Sequence, residues 1–120
     1  MDFVAAQANR LGNRTSNQDR CLIVERADTV LLAVADGMGG HARGDLAAQA
    51  FVDTLSRRFR AYQGVGDAAA FLRDAFREAH CTIQRVGQAQ NPPIQPMTTG
   101  VACLIQDGEA QWAHVGDSRA

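Results

Sequence analysis

Val30-Leu31-Leu32-Ala33-Val34-Ala35-Asp36-Gly37-Met38-Gly39-Gly40-His41 is the stretch whose reading decides the fold. Val30 to Ala35 are all apolar, with no polar alternation, which predicts a strand buried on both faces. The run stops at a carboxylate, so Asp36 is expected at a strand end, where layered folds carry functional groups. Glycines at 37, 39 and 40 strip side chains from the turn that should follow, letting backbone oxygens and amides approach a ligand. A carboxylate beside bare backbone oxygens suits a hard divalent cation such as Mg2+ or Mn2+. The plain alternative is a glycine turn chosen for geometry alone. Gly37-x-Gly39-x-x-Ala42 also matches the loose dinucleotide fingerprint. Two points oppose that reading. Asp36 would repel a pyrophosphate, and the acidic residue expected about 20 positions later should close a second parallel strand, where this sequence reads as helix.

Upstream, an Ala27-Asp28 turn joins this strand (Thr29 to Ala35) to another from Arg20 to Arg26. Phe3 to Ala8 reads as a weaker first strand, and Asn9 to Asn17 as a polar loop. Downstream, Ala47, Phe51, Leu55 and Phe59 recur every four residues, which predicts a helix from about His41 to Tyr62. Gly64 and Gly66 end it. Asp67 is suited to cap a second helix, whose stripe of Leu72, Phe76, Ala79, Ile83 and Val86 fades near Gly87. The two stripes should pack together and against the sheet. Gln88 to Pro96 holds three prolines and reads as an extended loop. Gly100 to Ile105 and Ala110 to Val115 read as strands joined through an Asp107-Gly108 turn. Hairpin-paired strands with segregated helices predict an α+β layered fold, not an alternating βαβ sheet. The last residues, Gly116 to Ala120, follow a strand with no closing element. Residues 1–120 therefore read as a single partial domain, truncated at its C-terminus.

Composition narrows the function classes. The 120 residues are 46% hydrophobic and 21% charged, an ordinary globular balance. A net charge of −1 gives no reason to expect nucleic acid or an anionic membrane as partner. Arg57-Arg58-Phe59-Arg60 reads as a solvated helix face. Cys21, Cys81 and Cys103 are scattered, which favours reduced thiols and a cytoplasmic location; Cys21 and Cys103 are expected as small core residues. No apolar run approaches the roughly 20 residues of a membrane helix, and the N-terminus lacks the pattern of a signal peptide.

Four constellations carry chemistry. Arg14-Thr15-Ser16-Asn17-Gln18-Asp19 offers a guanidinium able to grip phosphate, and a carboxylate five residues later. The Asp36 stretch is the second. Met97-Thr98-Thr99-Gly100 puts hydroxyls at the start of a strand. Gly116-Asp117-Ser118-Arg119 puts another carboxylate just after one. Taken singly, the first, third and fourth read equally as polar turns.

Together, in this order and spacing, they resemble the metal-dependent serine/threonine protein phosphatases of the 2C type, particularly the bacterial branch. Arg14-x-x-Asn17-x-Asp19, Asp36-Gly37-Met38-Gly39-Gly40-His41, Thr98-Thr99-Gly100 and Gly116-Asp117-Ser118-Arg119 carry the likeness, which spans about Leu11 to Arg119. The resemblance implies a four-layer α/β/β/α sandwich with mainly antiparallel sheets, of which this chain would be the N-terminal part. It implies hydrolysis of phosphoserine and phosphothreonine in proteins by a metal-activated water, with two or more Mn2+ or Mg2+ ions per complete domain. By the same analogy Asp36 bridges two cations, the Gly37 carbonyl binds one, Asp19 supports the cluster, and Asp117 helps hold a weaker additional ion. Arg14 would hold the substrate phosphate and Thr99 would orient water. Gln18 stands where many members carry an acidic residue, and Met38 where eukaryotic members have a histidine. Phosphorylated proteins are the implied partners. The later aspartates and strands of the family lie beyond this sequence. The expectation for the chain alone is therefore little or no activity and self-association through its last strand. The alternative is a non-catalytic remnant or regulatory binding module.

Overall fold

Residues 4–8, 17–38, 43–64 and 66–116 are described in the computed structural model of the chain. Strands β1 (Asp19–Arg26) and β2 (Thr29–Met38) form an antiparallel hairpin through Ala27-Asp28, with Arg26 opposite Thr29. Ala27 takes a left-handed conformation there, φ 50°. Helices α1 (Gly44–Ala61) and α2 (Ala68–Gln88) follow, then the two-residue β3 (Met97–Thr98) and a second hairpin, β4 (Gly100–Gln106) and β5 (Glu109–Val115). Asp107 and Gly108 turn this hairpin with φ 54° and 76°, the paired positive values that Asp-Gly supplies at least cost. β4 docks antiparallel on β2, so the sheet order is β1-β2-β4-β5, with β3 pairing the end of β2. Strands and helices are segregated, so the fold is α+β, as the sequence predicts.

Both helices lie on one face of the sheet. Leu31, Ala33 and Ala35 of β2 and Ala102 and Leu104 of β4 meet Ala48, Phe51, Val52, Leu55 and Phe59 of α1 and Phe71, Leu72, Ala75 and Ala79 of α2. The Phe51 and Phe76 rings meet edge-to-face at 5.2 Å. Phe76 and Ile83 flank this core half-buried. Asp67 caps α2, its side chain accepting from the Ala69 amide at 2.9 Å. The arginine cluster behaves as a solvated face, with Arg57 and Arg58 pairing with Glu78 at 3.3 and 3.7 Å, while Phe59 points inward at 2% exposure.

Several expectations need correction. Burial alternates from Ala33 to Met38, Val34 being 44% exposed and Ala35 fully buried. Thr29, Val30 and Leu31 are all buried, so β2 is covered on both faces at its start, whereas from Val34 onward only the helix face is covered by the described residues. Nor does it end at Ala35: Asp36, Gly37 and Met38 remain in the strand, because Asp19, Thr98 and Met97 pair with them. Of the expected first strand, Val4 to Ala8 are exposed and without regular structure; alanine-rich segments have little preference for a pleated surface. Helix α1 starts at Gly44, behind a left-handed Arg43 with φ 51°; His41 and Ala42 lie outside the described residues.

Cys21 and Cys103 are half-buried and absent from the core cluster. Their odd positions in β1 and β4 alternate with Leu22, Ala102 and Leu104, which face the helices, so they take the other face. Burial pushes the Cys103 thiol above its ordinary pKa, while Cys81 is exposed. Since the thiolate is the reactive form, iodoacetamide at pH 8 is expected to modify Cys81 well before Cys103. Peptide mass spectrometry over a time course checks this.

Candidate functional site

Antiparallel pairing gathers the start of β1, the ends of β2 and β5, and the start of β4 at one end of the sheet. The register there is specific. Asp19 is the direct cross-strand partner of Asp36. On the other side of β2 the pairs Val34↔Val101 and Gly37↔Thr98 keep one register, which sets Thr99 opposite Asp36. Continuing one step past Gly100↔Val115 sets Gly116 beside Thr99. A Cβ on Gly116 would lie 2.7 Å from Thr99 Cγ2, and its φ of 90° also excludes most side chains. Asp19, Asp36, Thr99 and Gly116 thus form one transverse row, and Asp117 follows the last of them.

Alternation decides which way the carboxylates point. Ala35 faces the helices, so Asp36 faces away from them and is exposed. Asp19, opposite it, shares that face. Like charges directly opposed weaken a sheet, so this pair is a poor choice for stability alone. The backbone around it is tied down. Asn17 Oδ1 accepts from the Asp19 amide at 2.9 Å, and the Gln18 carbonyl accepts from the Gly37 amide at 3.0 Å. The Thr99 amide donates to the Asp36 carbonyl at 2.9 Å, and Thr99 Oγ1 accepts from the Asp36 amide at 3.2 Å. The Thr99 hydroxyl, 4% exposed as a residue, is therefore engaged with the Asp36 backbone. Gly37 lets three backbone segments meet: a Cβ there would lie 2.6 Å from the Gln18 carbonyl oxygen and closer still to that of Gly44.

The oxygen donors fit a hard divalent cation in kind: two carboxylates on the sheet face away from the helices, Asp36 exposed and Asp19 with a buried Oδ1, beside a glycine backbone. They are too few to complete a shell of about six oxygens, and among the described residues no three His, Cys, Asp or Glu side chains converge on a common point. Of the residues singled out in the sequence, Asp19, Asp36, Gly37 and Thr99 come together at this end. Arg14 and Asp117 lie outside the described residues, as does His41. Two contributors escape the sequence reading. Gly44, lost inside an expected helix, gives α1 its close approach to β2: a Cβ there would lie 2.6 Å from the Met38 amide nitrogen. Arg20, adjacent to Asp19, binds the backbone on either side of Gln18. A glycine four residues after Gly40 was the available signal for the first; no local pattern marks the second.

Comparison with known proteins gives the site its context. Residues 6–120 match the family model described as protein phosphatase 2C. The chain is 35% identical over 116 residues to the serine/threonine protein phosphatase PstP of Mycobacterium tuberculosis, covering 96% of this chain and 21% of that protein. It is 32% identical over 109 residues to the protein phosphatase PhpP of Streptococcus pneumoniae, covering 88% and 44%. The solved catalytic domain of PstP in complex with two manganese ions superposes with a TM-score of 0.78 at 33% identity, covering 96% of this chain and 48% of that one. The chain thus spans less than half the length of these relatives. The structural superposition, and the family match along nearly every residue, lead to one conclusion: the chain belongs to the protein phosphatase 2C family.

Proposed function

We propose that this chain is the N-terminal part of a 2C-type catalytic domain that hydrolyses phosphoserine and phosphothreonine in proteins with Mn2+ or Mg2+. The observation that carries the reading is the in-register, outward-facing pair Asp19 and Asp36 at one sheet end, in a chain whose relatives include a phosphatase solved with two manganese ions. Asp36, Asp19 and the Gly37 carbonyl would hold the cations, with Asp117 contributing to a weaker ion. When bound, the cations supply Lewis acidity and bring the pKa of water near neutrality. Arg14 would pair with phosphoryl oxygens, where a guanidinium fork matches the geometry. Thr99 fixes the Asp36 backbone through its amide and hydroxyl, and any ordering of water by it would use the hydroxyl's remaining capacity. Phosphorylated proteins are the substrates. The three free cysteines fit a cytoplasmic signalling role.

A second reading, a non-catalytic regulatory module, is favoured by one observation: only two carboxylates meet among the described residues. Phosphate release from a phosphothreonine peptide separates the two, measured with millimolar Mn2+ for the 120 residues and for a form carrying the remainder of the domain. The extended form is expected to show metal-dependent turnover. The 120 residues alone are expected to show little, and to self-associate through β5 in size-exclusion chromatography. Absent turnover in the extended form would favour the regulatory reading, and metal-independent turnover would overturn the cation-holding role of Asp19 and Asp36. Robust turnover by a monomeric 120-residue chain would show that these carboxylates suffice.

A further inference from the structure

Arg20 follows Asp19 in β1, so its side chain leaves from the opposite face of the sheet, the helix side it shares with Leu22 and Val24. There its guanidinium makes three hydrogen bonds of 2.8 Å. Nη1 donates to the carbonyl oxygens of Asn17 and Asp19, and Nε donates to Gln49 Oε1 on α1. Gln49 Nε2 in turn donates to Asp53 Oδ1 at 2.8 Å. One side chain thereby ties the backbone before and at Asp19 to the first turns of α1. Among the described residues β1 is an edge strand, paired with β2 alone. Its first residue carries a carboxylate in register with that of Asp36, so any drift of this strand end would misplace the pair. A planar fork that collects two carbonyls and a helix side chain resists such drift in a way a point charge does not.

We infer that Arg20 is the positioning residue for the carboxylate pair, holding the Asn17–Asp19 backbone from the helix side so that Asp19 stays in register with Asp36. This rests on the proposal that the pair holds cations, and the test separates the two. In the 120-residue chain, amide exchange is followed by NMR and Mn2+ affinity by electron paramagnetic resonance of the free ion. The variants are Arg20→Ala, Arg20→Lys and Gln49→Ala, with Asp36→Ala as reference. Arg20→Ala is expected to raise the Mn2+ dissociation constant about tenfold, the usual effect of losing a residue that orients a ligand. Exchange at the Asp19 and Gly37 amides should speed up about tenfold, as expected for lost charge-assisted hydrogen bonds, with Leu55 and Leu72 amides unchanged. Arg20→Lys should restore neither. Gln49→Ala, which leaves Arg20 in place, should move both readouts in the same direction by a smaller factor, and it decides the question if Arg20→Ala does not fold. Unchanged Mn2+ affinity in Arg20→Ala, alongside lost binding in Asp36→Ala, overturns the role of Arg20 and leaves the proposed function standing. A uniform loss of protection that includes Leu55 and Leu72, or full recovery in Arg20→Lys, overturns it too. Wild-type Mn2+ affinity in Asp36→Ala counts against the proposed function instead, and the exchange at Asp19 and Gly37 then decides the role of Arg20.

Discussion

Asp36→Ala, made in a form that carries the whole catalytic domain, is expected to lower kcat/KM for a phosphopeptide by about a thousandfold or more, which is at least ~4 kcal/mol of transition-state stabilisation. The reason is placement. Asp36 faces outward at the end of a central strand, opposite Asp19, with its backbone fixed by Thr99. No neighbouring carboxylate of the row can replace it, since the opposite position is already Asp19. The fold should not suffer. The side chain is exposed, and removing one of two opposed negative charges relieves repulsion across the strands. Thermal unfolding should therefore shift by less than ~1 kcal/mol, or toward greater stability, while activity is lost. Steady-state kinetics and a circular-dichroism melt on the same preparation check both halves. Near-normal turnover would remove Asp36 from the proposed cation-holding set.

Gly37→Ala is expected to do the reverse and damage the fold itself. The added methyl would sit 2.6 Å from the Gln18 carbonyl oxygen and 2.5 Å from the Gly44 carbonyl carbon. Both neighbours are backbone, so no side chain can swing aside. Either β1 loses the Gly37–Gln18 hydrogen bond or α1 backs away from β2. Overpacking of this kind costs about 1–3 kcal/mol when side chains can adjust, and more is expected where only backbone can give. Tm should fall by roughly 10 °C or more, whereas Met38→Ala, at a side chain 43% exposed, should move it little. Thermal melts of the two variants side by side provide the measurement. A Gly37→Ala protein as stable as the parent would mean that α1 approaches β2 less closely than the structure shows.

The layout of elements was legible in the sequence wherever the signal is local. The four-residue spacing of Ala47, Phe51, Leu55 and Phe59, the Asp67 cap and the Asp107-Gly108 turn each depend on neighbours a few positions away, and each appears as expected. What was misread depends on partners distant in the chain. Gly37 looked like the first residue of a turn, yet it is strand because Thr98 lies beside it, 61 positions later. Val34 looked buried because its neighbours are apolar, but the helices cover only the other side of β2. At the site, residue types announced Asp36 and Asp19, whereas their direct opposition is a matter of register, which no periodicity encodes. Arg20 carried no signal because its partners are backbone oxygens and one glutamine on a helix.

The transverse row also has an order of assembly built into it. Asp19 and Asp36 are 17 positions apart and meet when a single hairpin closes. The bonds from Thr99 to Asp36 span 63 positions, with both helices in between. Loop closure grows more costly as the logarithm of the span, by about 1 kcal/mol between these two lengths. The charged contact is thus encoded in the nearest-neighbour topology, while the clasp that fixes Asp36 from its other side forms only when β4 docks. A chain caught before that docking would carry both carboxylates side by side on a hairpin whose far edge is still open. Early folding would then be sensitive to ionic strength and to divalent cations before the clasp from Thr99 has formed.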